Sequence, residues 1–262
     1  IEYFGKSISL YVDKDTYLTR LHPFAKIFYI VAAISVPMIV GTLWMYGVLI
    51  GISLCLLISG GIIKKVFPLI AFSFTIIITI FLIHGLFNQN NVNVLFSLGP
   101  LEFYKEGLLY ASKIGLNILN MLLTFAVFVL TTRPATLVDD LEQIGFSPRF
   151  GYMISSVFQI IPQMMGTMNT IMDAQRSRGM ETEGSLFVRA KAFIPLISPV
   201  VSSSLINTRE RAIALEVRGF DSKKQKTFLS DHKLKAGDKL FMLGMTVLLI
   251  GSLIWRILLW LS

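Results

Sequence analysis

Residues 150–172 read FGYMISSVFQIIPQMMGTMNTIM, 23 consecutive positions without a charge, and the fold depends on whether this stretch crosses a bilayer. Its length is sufficient, since one crossing takes about 20 predominantly apolar residues. Its composition argues the other way. Gln159, Gln163, Asn169, Pro162 and two glycines interrupt the apolar surface, and the run leads into the basic sequence Arg176-Ser177-Arg178. A second charge-free run, residues 192–208, has the same character, with four serines, Asn207, Pro195 and Pro199 before Arg209-Glu210-Arg211. Such runs are expected to form amphipathic helices packed on one another or lying at the membrane surface rather than spans.

Outside this segment the chain reads differently. Over all 262 residues 54% are hydrophobic and only 15% charged, with a mean hydropathy of +0.68. A soluble domain carries about a quarter charged residues, so the balance points to an integral membrane protein and excludes disordered and fibrous classes. Residues 27–63 form a charge-free run of 37, enough for two spans with a break at Gly41-Thr42 after Pro37. Spans are therefore expected at about residues 25–41 and 43–62, closed by Lys64-Lys65. The next run, residues 66–101, reads as one span followed by a loop from His84-Gly85-Leu86-Phe87-Asn88 onward. Further spans are expected at about residues 108–131 and 240–261.

The expected fold is an all-α integral membrane protein with about five transmembrane helices and a cytoplasmic or interfacial helical domain inserted before the last span. Its parts are residues 1–131, 132–238 and 239–262. No signal peptide is expected, because a mixed polar segment precedes the first apolar run and further spans follow it. With the N-terminus inside, 21 of the 24 basic residues fall on the cytoplasmic side, leaving Lys105, Lys113 and Arg256 in or near the outer half. This accounts for the net charge of +8 by the positive-inside bias, without nucleic acid as a partner. The lone cysteine, Cys55, provides neither a disulfide framework nor a thiolate metal site.

Two patterns stand out within residues 132–238. Met164, Met168 and Met172 are spaced by four and share one helical face, which suits either core packing or a repackable contact surface. The second pattern is a repeat. Ala174-Gln175-Arg176-Ser177-Arg178-Gly179-Met180 recurs 40 residues later as Ala214-Leu215-Glu216-Val217-Arg218-Gly219-Phe220, with the shared form Ala-x-x-x-Arg-Gly-apolar. Gly179 and Gly219 suit the left-handed position that ends a helix, and an Arg in the last turn is favourable there. Capping alone leaves unexplained the Ala four residues earlier, the apolar residue after the Gly, and the duplication. Ala and Arg at i and i+4 share a face, so the small residue permits close approach while the guanidinium projects toward a carboxylate on a second protein. Two such ends would make a two-pronged plug.

These ends resemble the paired signature of the transmembrane coupling subunit of energy-coupling factor vitamin transporters, the EcfT/CbiQ family. Upstream, Thr131-Thr132-Arg133-Pro134-Ala135-Thr136-Leu137, Gly145-Phe146-Ser147-Pro148 and Ile161-Pro162 are similar to family segments, as are Pro195, Pro199 and Arg209-Glu210-Arg211-Ala212 before the second signature. Near the N-terminus, Leu21-His22-Pro23-Phe24-Ala25-Lys26 resembles a family Pro-Arg-x-Lys stretch. Phe24 and Gln159 depart from the family pattern, both outside the signature. The resemblance implies a non-catalytic subunit in a prokaryotic cell membrane, partnered by two ABC-type ATPases and a substrate-binding membrane subunit. Ala174, Arg178, Gly179, Ala214, Arg218 and Gly219 would dock the ATPases, and the apolar helices, Met164, Met168 and Met172 among them, would contact the substrate-binding subunit. No cofactor would be bound directly, ATP being held by the partners.

The residues agree with that role. No Gly-x-x-x-x-Gly-Lys-Ser/Thr phosphate loop occurs, so nucleotide hydrolysis would fall to a partner. His22, His84 and His232 are far apart in sequence and on different expected sides, which argues against a metal site. Asp139-Asp140 with Glu142 reads as the acidic first turn of a helix after Pro134 rather than as a catalytic pair. The main alternative is an ion-coupled secondary transporter, which would want ionisable residues deep in the spans and an inverted repeat; the spans offer Lys113 and His84 near their ends, and no such repeat is found. A membrane enzyme acting on lipid would need a convergent acid, base or metal set, and none is visible.

Overall fold

The computed structural model describes residues 11–12, 14, 16–87, 93–98, 101–180, 186–222 and 234–261. In chain order the elements are α1 (Tyr17–Arg20), α2 (Pro23–Val40), α3 (Leu43–Ser59), α4 (Ile63–Phe87), β1 (Val94–Leu98), β2 (Leu101–Tyr104), α5 (Lys105–Thr131), α6 (Pro134–Gln143), α7 (Pro148–Ser177), α8 (Leu186–Val217) and α9 (Ala236–Leu261). They fall into two compact units, one over residues 9–137 with 232–262 and the other over residues 138–231.

In the first unit, α2, α4, α5 and α9 are each long and apolar enough to cross a membrane, and α3, with 17 residues, is at the lower limit. The protein is an all-α integral membrane protein. The much longer α7 and α8 are not among the helices apolar enough to span. The Lys14 ammonium donates to the Gly61 carbonyl at 2.8 Å, which puts the α3–α4 turn at the same end as the start of α2. Consequently α2 and α4 run away from this end, and α3 and α5 return to it. At the opposite end α4 and α5 are joined by the β1–β2 hairpin, antiparallel with Leu98 opposite Leu101. Glu106 closes its base, accepting from the Asn93 amide group at 2.7 Å and from the Asn93 backbone N–H at 3.2 Å.

Local chemistry sets these boundaries. Pro23 begins α2 with its fixed φ, and the His22 ring accepts the Phe24 N–H at 3.2 Å. Gly41, at φ +73°, ends the helix in the left-handed conformation. Within α2, Pro37 has no N–H to give to the Ala33 carbonyl four residues back. Asn120 of α5, fully buried, donates to that carbonyl at 2.6 Å. In hydrocarbon an unsatisfied backbone acceptor is expensive, so this side chain lets a proline sit inside a buried span. The core around it contains Tyr29, Leu57, Val66, Leu123 and Val127, and the Tyr29 hydroxyl lies 2.5 Å from the Ser53 hydroxyl. Small residues allow close helix packing: a Cβ on Gly115 of α5 would come within 3.1 Å of Ile77 on α4.

Three expectations are corrected. The segment from His84 to Phe87 is helical, not a loop, because α4 continues to Phe87 before the hairpin. Lys64 and Lys65 lie in the first turn of α4 rather than between helices. Asp139 and Asp140 are in the second turn of α6, whose first turn carries no acid, and Asp140 is buried.

Candidate functional site

The duplicated Ala-x-x-x-Arg-Gly ends close α7 and α8, the two long helices of the unit over residues 138–231. Pro148 begins α7 with Ser147 as N-cap, while Pro162 lies inside α7 and Pro195 and Pro199 inside α8. Three contacts define how the helices meet. Arg149 at the start of α7 pairs with Asp221 beyond the end of α8, its Nη2 3.1 Å from Oδ1. Tyr152 packs against Phe220 with ring centroids 5.4 Å apart. Further along, Arg211 of α8 donates to the Gln163 side-chain carbonyl of α7 at 2.6 Å. The helices are antiparallel, meeting along a seam lined by Gln163, Met164, Thr167, Ser204, Thr208 and Arg211.

Both helix ends fold into the same cap. At the end of α7, the Gly179 N–H donates to the Arg176 carbonyl at 2.9 Å and the Met180 N–H to the Gln175 carbonyl at 3.0 Å. At the end of α8, the Gly219 N–H donates to the Glu216 carbonyl at 2.9 Å and the Phe220 N–H to the Leu215 carbonyl at 3.0 Å. Gly179 has φ +86° and Gly219 φ +72°, a conformation that side chains with a Cβ rarely adopt. This is the paired-bond helix stop in which the residue after the glycine makes an apolar contact. At the second end the apolar residue after the Gly also joins the two helices, since Phe220 packs on Tyr152 of α7.

What the cap leaves over is the Ala and the Arg. Ala174 and Ala214 are exposed, as are Arg178 and Arg218, and among the described residues neither guanidinium has a carboxylate within ion-pair distance. The ends are not adjacent prongs. Because α7 and α8 are antiparallel, Arg218 lies near Tyr152 at the start of α7, whereas Arg178 lies at its far end. From Tyr152 to Arg178 the helix rises roughly 40 Å at about 1.5 Å per residue.

The remaining candidates take plainer positions. Met164, Met168 and Met172 are half-buried, and Met164 lines the seam with α8, while Met153 and Met165 are exposed. His22 caps α2 and His84 meets Tyr110 edge to face at 5.0 Å, whereas His232 lies outside the described residues. Among the described residues no group of three or more His, Cys, Asp or Glu could hold a metal ion. Sequence reasoning gave Arg149, Tyr152, Gln163 and Asp221 no part in joining α7 to α8, although Tyr152, Gln163 and Arg211 lay in stretches already singled out.

Comparison with known proteins agrees with the signature. The CbiQ family, described as cobalt transport protein, matches residues 14–228. The energy-coupling factor transporter transmembrane protein EcfT of Brevibacillus brevis is 30% identical over 82% of this chain and 84% of its own length. The protein of that name from Listeria innocua is 27% identical over 94% of this chain and 96% of its own. The one from Lactococcus lactis subsp. cremoris is 30% identical over 63% of this chain, and the chain spans 66% of that relative. Matched over most of its length in sequence, and carrying the spans and paired helix ends described above, this chain belongs to the CbiQ/EcfT family of membrane transport proteins.

Proposed function

We propose that the chain is the transmembrane coupling subunit of an energy-coupling factor importer for vitamins or other micronutrients, linking ATP hydrolysis by two cytoplasmic ATPases to movement of a substrate-binding membrane subunit. The observation that carries this reading is the pair of identically capped helix ends, each exposing an Ala and an Arg that has no carboxylate within ion-pair distance among the described residues, set roughly 40 Å apart. That spacing suits one ATPase per end rather than both ends in one groove. Arg178 and Arg218 would each face a carboxylate lining a groove on its ATPase, with Ala174 and Ala214 allowing close approach and Gly179 and Gly219 turning the chain away.

Movement would then follow from the antiparallel pair. As the ATPases close on ATP, the two ends are drawn relative to each other, and α7 and α8 shift about their seam. That seam mixes Gln163, Thr167, Ser204 and Thr208 around the Arg211 contact with the apolar Ile160 and Met164, so sliding would cost less than in a wholly apolar interdigitated core. The exposed apolar residues of α7 and α8, such as Val157, Phe158, Ile197 and Val201, would carry that shift to the substrate-binding subunit. Met164, Met168 and Met172 would adapt as the helices repack.

The N-terminus would be cytoplasmic. Lys14, Arg20, Lys64, Lys65 and Arg133 cluster at the end of the membrane unit where α2 begins, whereas Lys105 lies at the opposite end, which accords with the positive-inside bias. Purifying the tagged chain from its native host in mild detergent tests the reading. ATP-binding-cassette ATPases are expected to come with it, and their consistent absence would count against the coupling role.

A further inference from the structure

Among the described residues the chain passes from one unit to the other after residue 137 and is back in the first by residue 234. The stems that flank these crossings are the end of α5 with the start of α6, and the start of α9. Each stem is tied to the start of α2 through one buried charged side chain. Lys26 of α2, 2% exposed, donates from Nζ to the carbonyl of Thr131, the last residue of α5, at 2.8 Å. Asp238 of α9, 5% exposed, accepts two backbone N–H groups. Its Oδ2 takes that of Lys235, immediately before α9, at 2.9 Å, and its Oδ1 takes that of His22, the N-cap of α2, at 3.2 Å.

The electrostatics are complementary throughout. The carboxylate sits at the positive ends of two helices and the ammonium at the negative end of a third. The first stem has two further ties: the Val12 N–H donates to the Leu130 carbonyl at 2.9 Å, and Arg133 lies over the Tyr11 ring, 4.9 Å from its centroid. These contacts join positions more than 100 and more than 200 residues apart in the chain, since Lys26 reaches Thr131 across 105 residues and Asp238 reaches His22 across 216.

We propose that Lys26 and Asp238 are positioning residues forming a clamp that holds the two stems of the inserted unit at a fixed spacing on the start of α2. Both charged groups are buried and hydrogen-bonded to backbone, so breaking either contact leaves a buried charge without its partner. Its use in transport rests on the coupling function proposed above: a base that yields would absorb the displacement of α7 and α8 instead of passing it on. The spacing itself needs no partner to be measured.

The test places spin labels on Ala135→Cys and Ala236→Cys in a Cys55→Ser background and measures the label-to-label distance distribution of the full chain in lipid nanodiscs. All three positions are outside the clamp. The parental chain is expected to give one narrow distribution. Lys26→Met, which keeps the volume but loses the donor, and Asp238→Asn, which keeps a single acceptor oxygen, are both expected to broaden it at unchanged helical content. Lys26→Arg, which retains a cationic donor, is expected to restore it. A broad or multi-peaked parental distribution overturns the clamp even if a variant fails to accumulate, and so does a narrow distribution unchanged in both Lys26→Met and Asp238→Asn. Failure of the coupling function would instead appear as loss of ATPase co-purification, which this measurement does not involve.

Discussion

Asn120 Nδ2 donates a 2.6 Å hydrogen bond to the Ala33 carbonyl, the acceptor that Pro37 leaves without its helical N–H. A side chain on α5 thus replaces a backbone bond missing from α2, and it does so in the buried centre of the membrane unit. Replacing Asn120 by Leu should destabilise the chain by about 1–3 kcal/mol, the usual penalty for orphaning a buried polar group. In a Pro37→Ala background the Ala33 carbonyl regains its helical donor, and the same substitution should then cost markedly less. A double-mutant cycle on detergent-solubilised protein, followed by thermal unfolding, reads the coupling directly.

Gly179 and Gly219 both stand at positive φ. Gly→Ala at either position should fray the last turn of its helix at a cost of about 1–2 kcal/mol, the strain of a Cβ in the left-handed region. Space is not the obstacle, since an added Cβ at Gly179 would meet nothing within 4 Å. Hydrogen exchange should therefore show faster exchange confined to residues near 176–180 or 216–220. Fraying in one cap with the other unaffected is the expected pattern.

The ties between α7 and α8 should rank unequally. Arg149 and Asp221 are both exposed, so Arg149→Ala should change stability by under about 1 kcal/mol and the change should vanish at high salt. Tyr152→Ala removes the ring under Phe220 and should cost more, independently of salt. Thermal unfolding at low and high ionic strength separates the two.

These contrasts show what was legible in the sequence. Signals confined to a few neighbouring residues could be read: Gly41, Gly179 and Gly219 at helix ends, and the length of each apolar run. The refusal to count residues 150–172 as a span rested on their interrupting polar residues, and α7 is not among the spanning helices. The hairpin was missed because His84-Gly85 and the polar residues after Phe87 look like a single loop, whereas β1 and β2 are held by pairing across the turn. The clamp was invisible for a related reason. Nothing near Asp238 in sequence announces that its partner is the backbone of His22, and Lys26 shows a motif without showing that it reaches Thr131. The repeat revealed the two ends but not their separation, which depends on the antiparallel crossing of α7 and α8.

The methionine face offers a further check. Shortening Met164, Met168 and Met172 to Ala should weaken association with the substrate-binding subunit more than with the ATPases, as judged by co-purification of each. The exposed Met153 and Met165 provide the comparison, since they differ from these three in burial. Equal retention of every partner by the triple variant would return the three residues to ordinary packing.

The central claim is that the two capped ends are the ATPase contacts, and charge reversal tests it most directly. Both guanidiniums are exposed, so the double variant Arg178→Glu and Arg218→Glu should insert and fold as the parental chain does. Co-purification of the ATPases with the tagged double variant is the measurement. The account predicts that they are lost, with each single variant intermediate. Retention of both ATPases at parental levels, with uptake intact, would contradict it.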